Sequence, residues 1–238
     1  ALLFTVLFTA CKKDEVETVD NSELFQTIIE NVGNNVIVKT YDDLAQKGEL
    51  LSLALINLEN DPTTENLLTA RAAWVNARSP WEQSEGFLFG PVDQEGIDPN
   101  IDSWPVDASA LNNILDNTAN ITVAFLDQQE GNLKGFHTIE FLLWGENGDK
   151  TIEQFTSKQF EYLAACSGAL SIDLKKLDYL WSAEGGNYIK EVTTAGNGSI
   201  IYKSQKSVIE ELSDAIVGIA DEVSNGKING PLTRTITF

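Results

Sequence analysis

Methionine is absent from this 238-residue chain, histidine occurs once, cysteine twice, and 16 basic residues stand against 36 acidic ones. Each scarcity excludes something. A single histidine rules out metal sites built on several imidazoles, the H-E-x-x-H helix among them. Two cysteines rule out a disulfide framework. The formal charge of −20 is spread along the chain and argues against a nucleic-acid partner, because such binding needs Lys and Arg to neutralise phosphates. The same field attracts cations, and it also serves to keep an extracytoplasmic protein soluble. No β-hairpin signal or run of alternating apolar and polar residues stands out.

What is present suits a folded protein. Residues are 42% hydrophobic and 22% charged, and the length accommodates one large domain or two small ones with a substantial core. The longest uncharged apolar stretch at the start, Ala1 to Ala10 (ALLFTVLFTA), is about half of what a bilayer span requires. It reads as the hydrophobic region of an export signal whose Met and basic segment are missing, so the chain is expected to be clipped at its start. Cys11 follows Phe8, Thr9 and Ala10 and precedes Lys12, Lys13, Asp14 and Glu15, an arrangement that resembles a lipobox. The expectation is an acylated Cys11, a polar tether over residues 11–22, and a membrane partner reached through the lipid anchor. The protein is then an outer-membrane lipoprotein facing the periplasm or the cell surface. Cys166, in YLAACSGAL, is expected to be a small core residue without a disulfide partner.

From Ser22 onward the apolar period is helical. Leu24, Ile28, Ile29 and Val32 recur at three- and four-residue spacing, Ser22 serves as N-cap, and GNN at Gly33 to Asn35 interrupts the pattern. Val36, Tyr41, Leu44, Leu51, Leu55 and Leu58 continue it to Asp61-Pro62. A second helix is predicted from Thr63 to Ser79-Trp81, bent or restarted by Pro80. Phe89 to Val106 holds three prolines and two glycines without a sustained period, which predicts a long ordered loop of the kind that carries sites. Helical patterning returns over Ala108 to Leu126, through LKGFHTIEFLLWG, over Ile152 to Leu180 and over Ser199 to Val223. The predicted fold is therefore all-α, a helical bundle, with the folded domain over residues 23–231.

The segment Gly135-Phe136-His137-Thr138-Ile139-Glu140 contains the only histidine. On a helix, His137 and Glu140 share a face, where imidazole and carboxylate can chelate one transition metal, while Phe136, Ile139 and Leu143 seat the helix in the core. A His followed by an acid at this spacing is also common as a simple hydrogen-bonded pair, and two donors alone hold a metal weakly. Glu82 and Glu85, and Asp93, Glu95, Asp98 and Asp102 in the irregular loop, supply further oxygen donors. Their spacing does not follow a calcium loop. Trp81, Trp104 and Trp144 are candidates to shape a pocket, and Arg78 to orient a carboxylate or an anionic group.

The G-x-H-x-x-E pattern at Gly135, His137 and Glu140 resembles the signature of imelysin-like proteins, the M75 peptidases. WVNARSPWEQSEGFLFGPVD, Trp74 to Asp93, followed by DPNIDSWPVD, Asp98 to Asp107, is similar to that family's other characteristic block. The resemblance runs from about Leu24 to Pro231. It implies two helical bundles with the site at their interface, here an N-terminal bundle plus part of a second, and relatives connected with iron uptake. It also implies metal-site roles for His137 and Glu140, with Glu82, Glu85 and Asp102 as further ligand candidates and Arg78, Trp81, Ser84, Trp104 and Gly135 in the same cleft. Relatives continue into more helices, so residues 232–238 read as a truncated end, with exposed apolar faces expected where the absent helices would pack.

Three functions follow. The first is a membrane-anchored lipoprotein that binds a divalent or ferric ion, iron or zinc foremost, and works with a transporter or another envelope partner. The second is an M75-type metal-dependent peptidase, or a Ser84–His137 hydrolase, although neither a zinc-peptidase motif nor a nucleophile elbow is present. The third is a non-catalytic lipoprotein that recognises a peptide or saccharide through the Trp-lined cleft.

Overall fold

The computed structural model describes residues 20–229 and Leu232. The export segment, Cys11 and nearly all of the tether lie outside the described residues, as does most of 232–238. Among the described residues there is no strand, and the fold is all-α. None of their helices is long and apolar enough to cross a membrane.

Three long helices make the frame. Helix α1 (Ser22–Val32) runs through a π-helical turn (Gly33–Ile37) into α2 (Val38–Asn60), and α3 (Thr64–Ser84) follows after a short turn. The turn at Gly33 to Asn35 falls where GNN breaks the apolar period. At the start of α1, Asp20 rather than Ser22 accepts the free backbone N–H, that of Ser22 at 3.0 Å. Thr63 caps α3 by accepting from the Asn66 N–H at 3.2 Å. Tyr41, Leu44, Leu51, Leu55 and Leu58 recur along one face of α2 and are buried. That face packs on α3 and on the third long helix, Ser157–Trp181.

Pro80 neither ends nor restarts α3, which continues to Ser84. Proline withholds one intrahelical bond, but Ala77, Pro80, Trp81 and Ser84 are all buried, so packing holds the last turn. The stretch predicted as a loop carries two short helices, α4 (Pro91–Gln94) and α5 (Ile97–Ile101), separated by Gly96 in the left-handed region. Pro91 suits a first helical position because its missing N–H would have no partner there. Val92, Ile97 and Ile101 are buried and pin the segment to the core.

The region predicted as one helix over Ala108 to Leu126 divides into α6 (Ala108–Asn117) and α7 (Val123–Asp127), because Thr122 caps a new start. Helix α8 (Gly135–Trp144) carries the G-x-H-x-x-E motif. Its C-terminal carbonyls receive two cations: Arg71 Nη2 donates to Leu143 O at 2.8 Å and Lys150 Nζ to Leu142 O at 2.9 Å. Positive charge at that end also complements the helix dipole. Then come α9 (Ser157–Trp181), α10 (Tyr188–Thr193) and α11 (Gln205–Asp221), followed by a π-helical segment, Glu222–Asn229.

Helix α9 is the long partner of α2, and Gly48 permits their approach: a Cβ there would lie 2.5 Å from Leu174 Cδ1. Cys166 is buried within α9. Helix α11 begins at Gln205 instead of Ser199 because Glu191 gathers the intervening chain, accepting from Ser199 Oγ and from the Ile200 N–H, both at 2.7 Å. In α11 only Val208 is buried, while Ile216 and Val217 are exposed.

Candidate functional site

Three segments far apart in sequence meet at His137. The end of α3 supplies Arg78, Trp81 and Glu82, the residue after α5 supplies Asp102, and α8 supplies His137 and Glu140. Gly135 makes the meeting possible. Its φ is +76°, a conformation that glycine adopts without steric cost. A Cβ added there would lie 2.2 Å from the carbonyl oxygen of Ile101. The start of α8 therefore rests directly on the backbone that presents Asp102.

At the centre, both imidazole nitrogens face carboxylates. His137 Nδ1 lies 3.0 Å from Glu140 Oε2, and Nε2 lies 3.2 Å from Asp102 Oδ1. Asp102 is itself fixed from two further directions: Arg78 donates to Oδ1, and Trp81 Nε1 donates to Oδ2 at 2.7 Å. Arg78 also pairs with Glu82 through Nε at 2.5 Å and lies over the Phe136 ring, 5.4 Å from its centroid. Trp74 Nε1 donates to Phe136 O at 2.9 Å, which ties α3 to the first turn of α8.

The charges follow from these contacts. Burial opposes ionisation of Asp102, yet the bonds from His137, Arg78 and Trp81 outweigh it and hold the carboxyl at about 2. Burial likewise opposes charge on His137, and the two carboxylates outweigh it, raising the imidazole to about 9. At neutral pH the ring is therefore an imidazolium donating from both nitrogens.

The exposed side of this array opens into a cavity of about 730 Å³, lined in part by Trp104, Pro105, His137, Glu140, Trp144 and Glu146. Glu140 is 44% exposed and His137 22%, whereas Asp102 is only 10% exposed. The ring and Glu140 thus present themselves to the cavity, with Asp102 behind them.

Of the ligand candidates, the structure gathers His137, Glu140 and Asp102. Glu82 is engaged by Arg78. Glu85 is buried and accepts from Lys227 Nζ at 3.0 and 3.1 Å, a pairing that ties the C-terminal segment to the end of α3. Burial pushes the Glu85 carboxyl up against the pull of Lys227. Among the described residues, no group of three or more His, Cys, Asp or Glu side chains is placed to hold a metal ion by itself.

Of the cleft candidates, Trp104 lines the cavity and is 61% exposed, while Trp81 is fully buried and acts on Asp102 from beneath. Ser84 is also fully buried, and its hydroxyl donates to Trp81 O at 2.7 Å within its own helix. It presents no accessible nucleophile to the cavity. Two contacts go beyond the residues expected from sequence: Phe136 lies under Arg78, and Lys227 pairs with Glu85. Nothing in the sequence signals the second, since 142 positions separate the pair.

Comparison with known proteins gives a consistent result. The family model described as Imelysin, Peptidase M75, matches residues 37–237. Iron-regulated protein A of Synechococcus elongatus is 30% identical over 228 residues, which cover 95% of this chain and 59% of that protein. A crystal structure described as that of an iron-regulated protein A precursor from Parabacteroides distasonis superposes with a TM-score of 0.79 at 25% identity, covering 89% of this chain and 62% of the other. An imelysin-like protein from Psychrobacter arcticum shares the fold, with a TM-score of 0.68 at 16% identity over 85% of this chain and 61% of that one. The chain thus spans about three fifths of the length of each of these relatives.

Proposed function

The chain belongs to the imelysin (M75 peptidase) family, and on that premise we propose that it is an envelope-anchored protein of iron handling whose cargo is a metal ion taken at His137 and Glu140. Two of its relatives are named for regulation by iron, and the charge of −20 favours cations.

One observation carries the reading: the line Glu140, His137, Asp102 runs from the open cavity into the buried Arg78–Trp81 support. Histidines that ligate metals donate their second ring N–H to a carboxylate, which fixes the tautomer and the ring orientation. Asp102 occupies that position at Nε2, already neutralised by Arg78, and so orients the ring. His137 and Glu140 both line the cavity, and Nδ1 lies 3.0 Å from Glu140 Oε2. In the metal-free protein a proton holds the two donors together, and metal uptake at Nδ1 displaces it.

Elemental analysis and metal titration of the protein against the His137→Ala, Glu140→Ala double variant test this. Stoichiometric metal in the parent and none in the variant is the expected result. Metal retained by the variant contradicts the assignment. So does saturable binding of an organic ligand, indifferent to chelators, in a protein that takes up no metal.

The anchoring part of the proposal rests on Cys11, following an apolar run and preceding Lys12 and Lys13. Expressed behind a lipoprotein export signal, the protein is expected to incorporate labelled fatty acid and to sediment with membranes, and Cys11→Ser to lose both. Unchanged fractionation of Cys11→Ser would rule out lipid anchoring there.

A further inference from the structure

We propose that the metal arrives already held by a planar aromatic chelator, neutral or cationic, whose ring stacks on Trp104 while His137 and Glu140 complete the coordination. The inference rests on the metal-cargo reading above and extends it to the identity of the cargo.

Protein donors are few: His137 and Glu140 line the cavity 3.0 Å apart, Glu146 borders it without joining them in a cluster, and no group of three or more His, Cys, Asp or Glu side chains among the described residues is placed to hold an ion. Two protein donors leave most positions of an octahedral ion open, and a free ion held by so few is held weakly. A site with this deficit suits an ion that brings ligands of its own.

The cavity of about 730 Å³ lies within the range of about 300–1,000 Å³ occupied by small organic ligands, far above the space one hydrated ion needs. Part of its wall is aromatic. Trp104, Pro105 and Val106 lie on one lining segment, and Phe141 and Trp144 come from α8. Trp144 is braced from behind, 5.3 Å from the Trp74 ring and 5.4 Å from the Arg71 guanidinium. Trp104 has more than half of its surface exposed, and the Pro ring that follows it lines the same cavity. Aromatic faces beside an ion-binding pair are suited to stacking a flat ligand.

Charge narrows the class of chelator further. Glu140 and Glu146 border the cavity with His137, and the protein as a whole is strongly acidic. Anionic chelates are therefore disfavoured, and neutral or cationic ones are accepted.

Isothermal titration calorimetry with three probes tests the inference: aquated zinc, the one-to-one zinc–phenanthroline complex, and phenanthroline alone. The proteins compared are the parent, Trp104→Ala, Trp104→Phe, and the His137→Gln, Glu140→Gln double variant. The complex is expected to bind the parent about tenfold more tightly than aquated zinc, the scale of one aromatic stacking contact. Trp104→Ala should erase that advantage and leave aquated zinc unchanged, Trp104→Phe should restore much of it, and the double variant should lose both zinc species. Equal affinity for the two zinc species, or an advantage that survives Trp104→Ala, overturns the chelate proposal and leaves the metal site standing. Phenanthroline alone binding as tightly as its zinc complex overturns it as well. Failure of both zinc species to bind the parent defeats the metal-cargo reading itself.

Discussion

Replacing Gly135 with alanine is expected to lower the stability of the fold by about 3 kcal/mol, the scale of a strained backbone position combined with a forced backbone displacement. Two costs coincide there. The φ of +76° lies in the region that residues with a Cβ enter at a penalty. The new Cβ also meets the Ile101 carbonyl oxygen at 2.2 Å and its carbon at 2.6 Å. Ile101 cannot simply retreat, because Asp102 beside it is held by Arg78, Trp81 and His137. For a domain of this size the melting temperature should fall by roughly 6–12 °C. Metal affinity should fall by about tenfold or more as the support of His137 is displaced. Gly86 is the control: nothing lies within 4 Å of a Cβ added there, so Gly86→Ala should stay within about 0.5 kcal/mol of the parent. Equal melting temperatures for Gly135→Ala and the parent would show that α8 does not depend on that close approach.

Asp102→Asn has the other large expected effect. It preserves shape but leaves the Arg78 guanidinium, among the described residues, with only the half-exposed Glu82 as an ionic partner. Removing one member of a buried pair costs about 3 kcal/mol or more. Loss of the carboxylate also removes the larger of the two bonds that hold the His137 imidazole near 9. The ring should then titrate closer to its ordinary value of about 6.5. Because the chain has one histidine, a single imidazole resonance reports this without assignment.

The same pair sets a pH dependence. The folded-state pKa of His137 is raised, so its contribution is complete below about pH 6.5 and is lost as pH rises toward about 9. Asp102 is depressed, so its contribution is complete above its ordinary value of 3.8 and is lost as pH falls toward about 2. Stability from this array should be greatest between these limits and should decline by up to about 3 kcal/mol from pH 6.5 to 9. Denaturant midpoints across that range measure it, and the decline should shrink in Asp102→Asn, where Glu140 alone still favours the charged ring.

The helices were legible because their apolar residues repeat. Tyr41, Leu44, Leu51, Leu55 and Leu58 mark the buried face of α2 without any knowledge of its partners, and the glycine and asparagines at Gly33 to Asn35 mark its irregular turn. Helices α4 and α5 were not legible, since four or five residues are too few to show a period. The break between α6 and α7 was hidden for a related reason: Thr122 acts as a cap only once the chain turns there. The pairing of His137 with Glu140 could be read from a spacing of three along one helix. Asp102 could be named only as one acid among several in an irregular stretch. Its position opposite Nε2 is set by Gly135 resting on Ile101, a tertiary contact between segments that local pattern does not connect. Trp81 and Trp104 looked equivalent in sequence, yet one is sealed beneath Asp102 and the other lines the cavity. Tryptophan serves either place, and only packing separates them.

The most direct measurement of the central claim is a zinc titration followed through the imidazole resonance of His137 by NMR at near-neutral pH. The account predicts that this resonance shifts with one-to-one stoichiometry as the ring exchanges its Nδ1 proton for the metal, and that Glu140→Gln weakens the response about tenfold or more. A His137 resonance that stays at its metal-free position, while the protein binds zinc elsewhere or not at all, would contradict it.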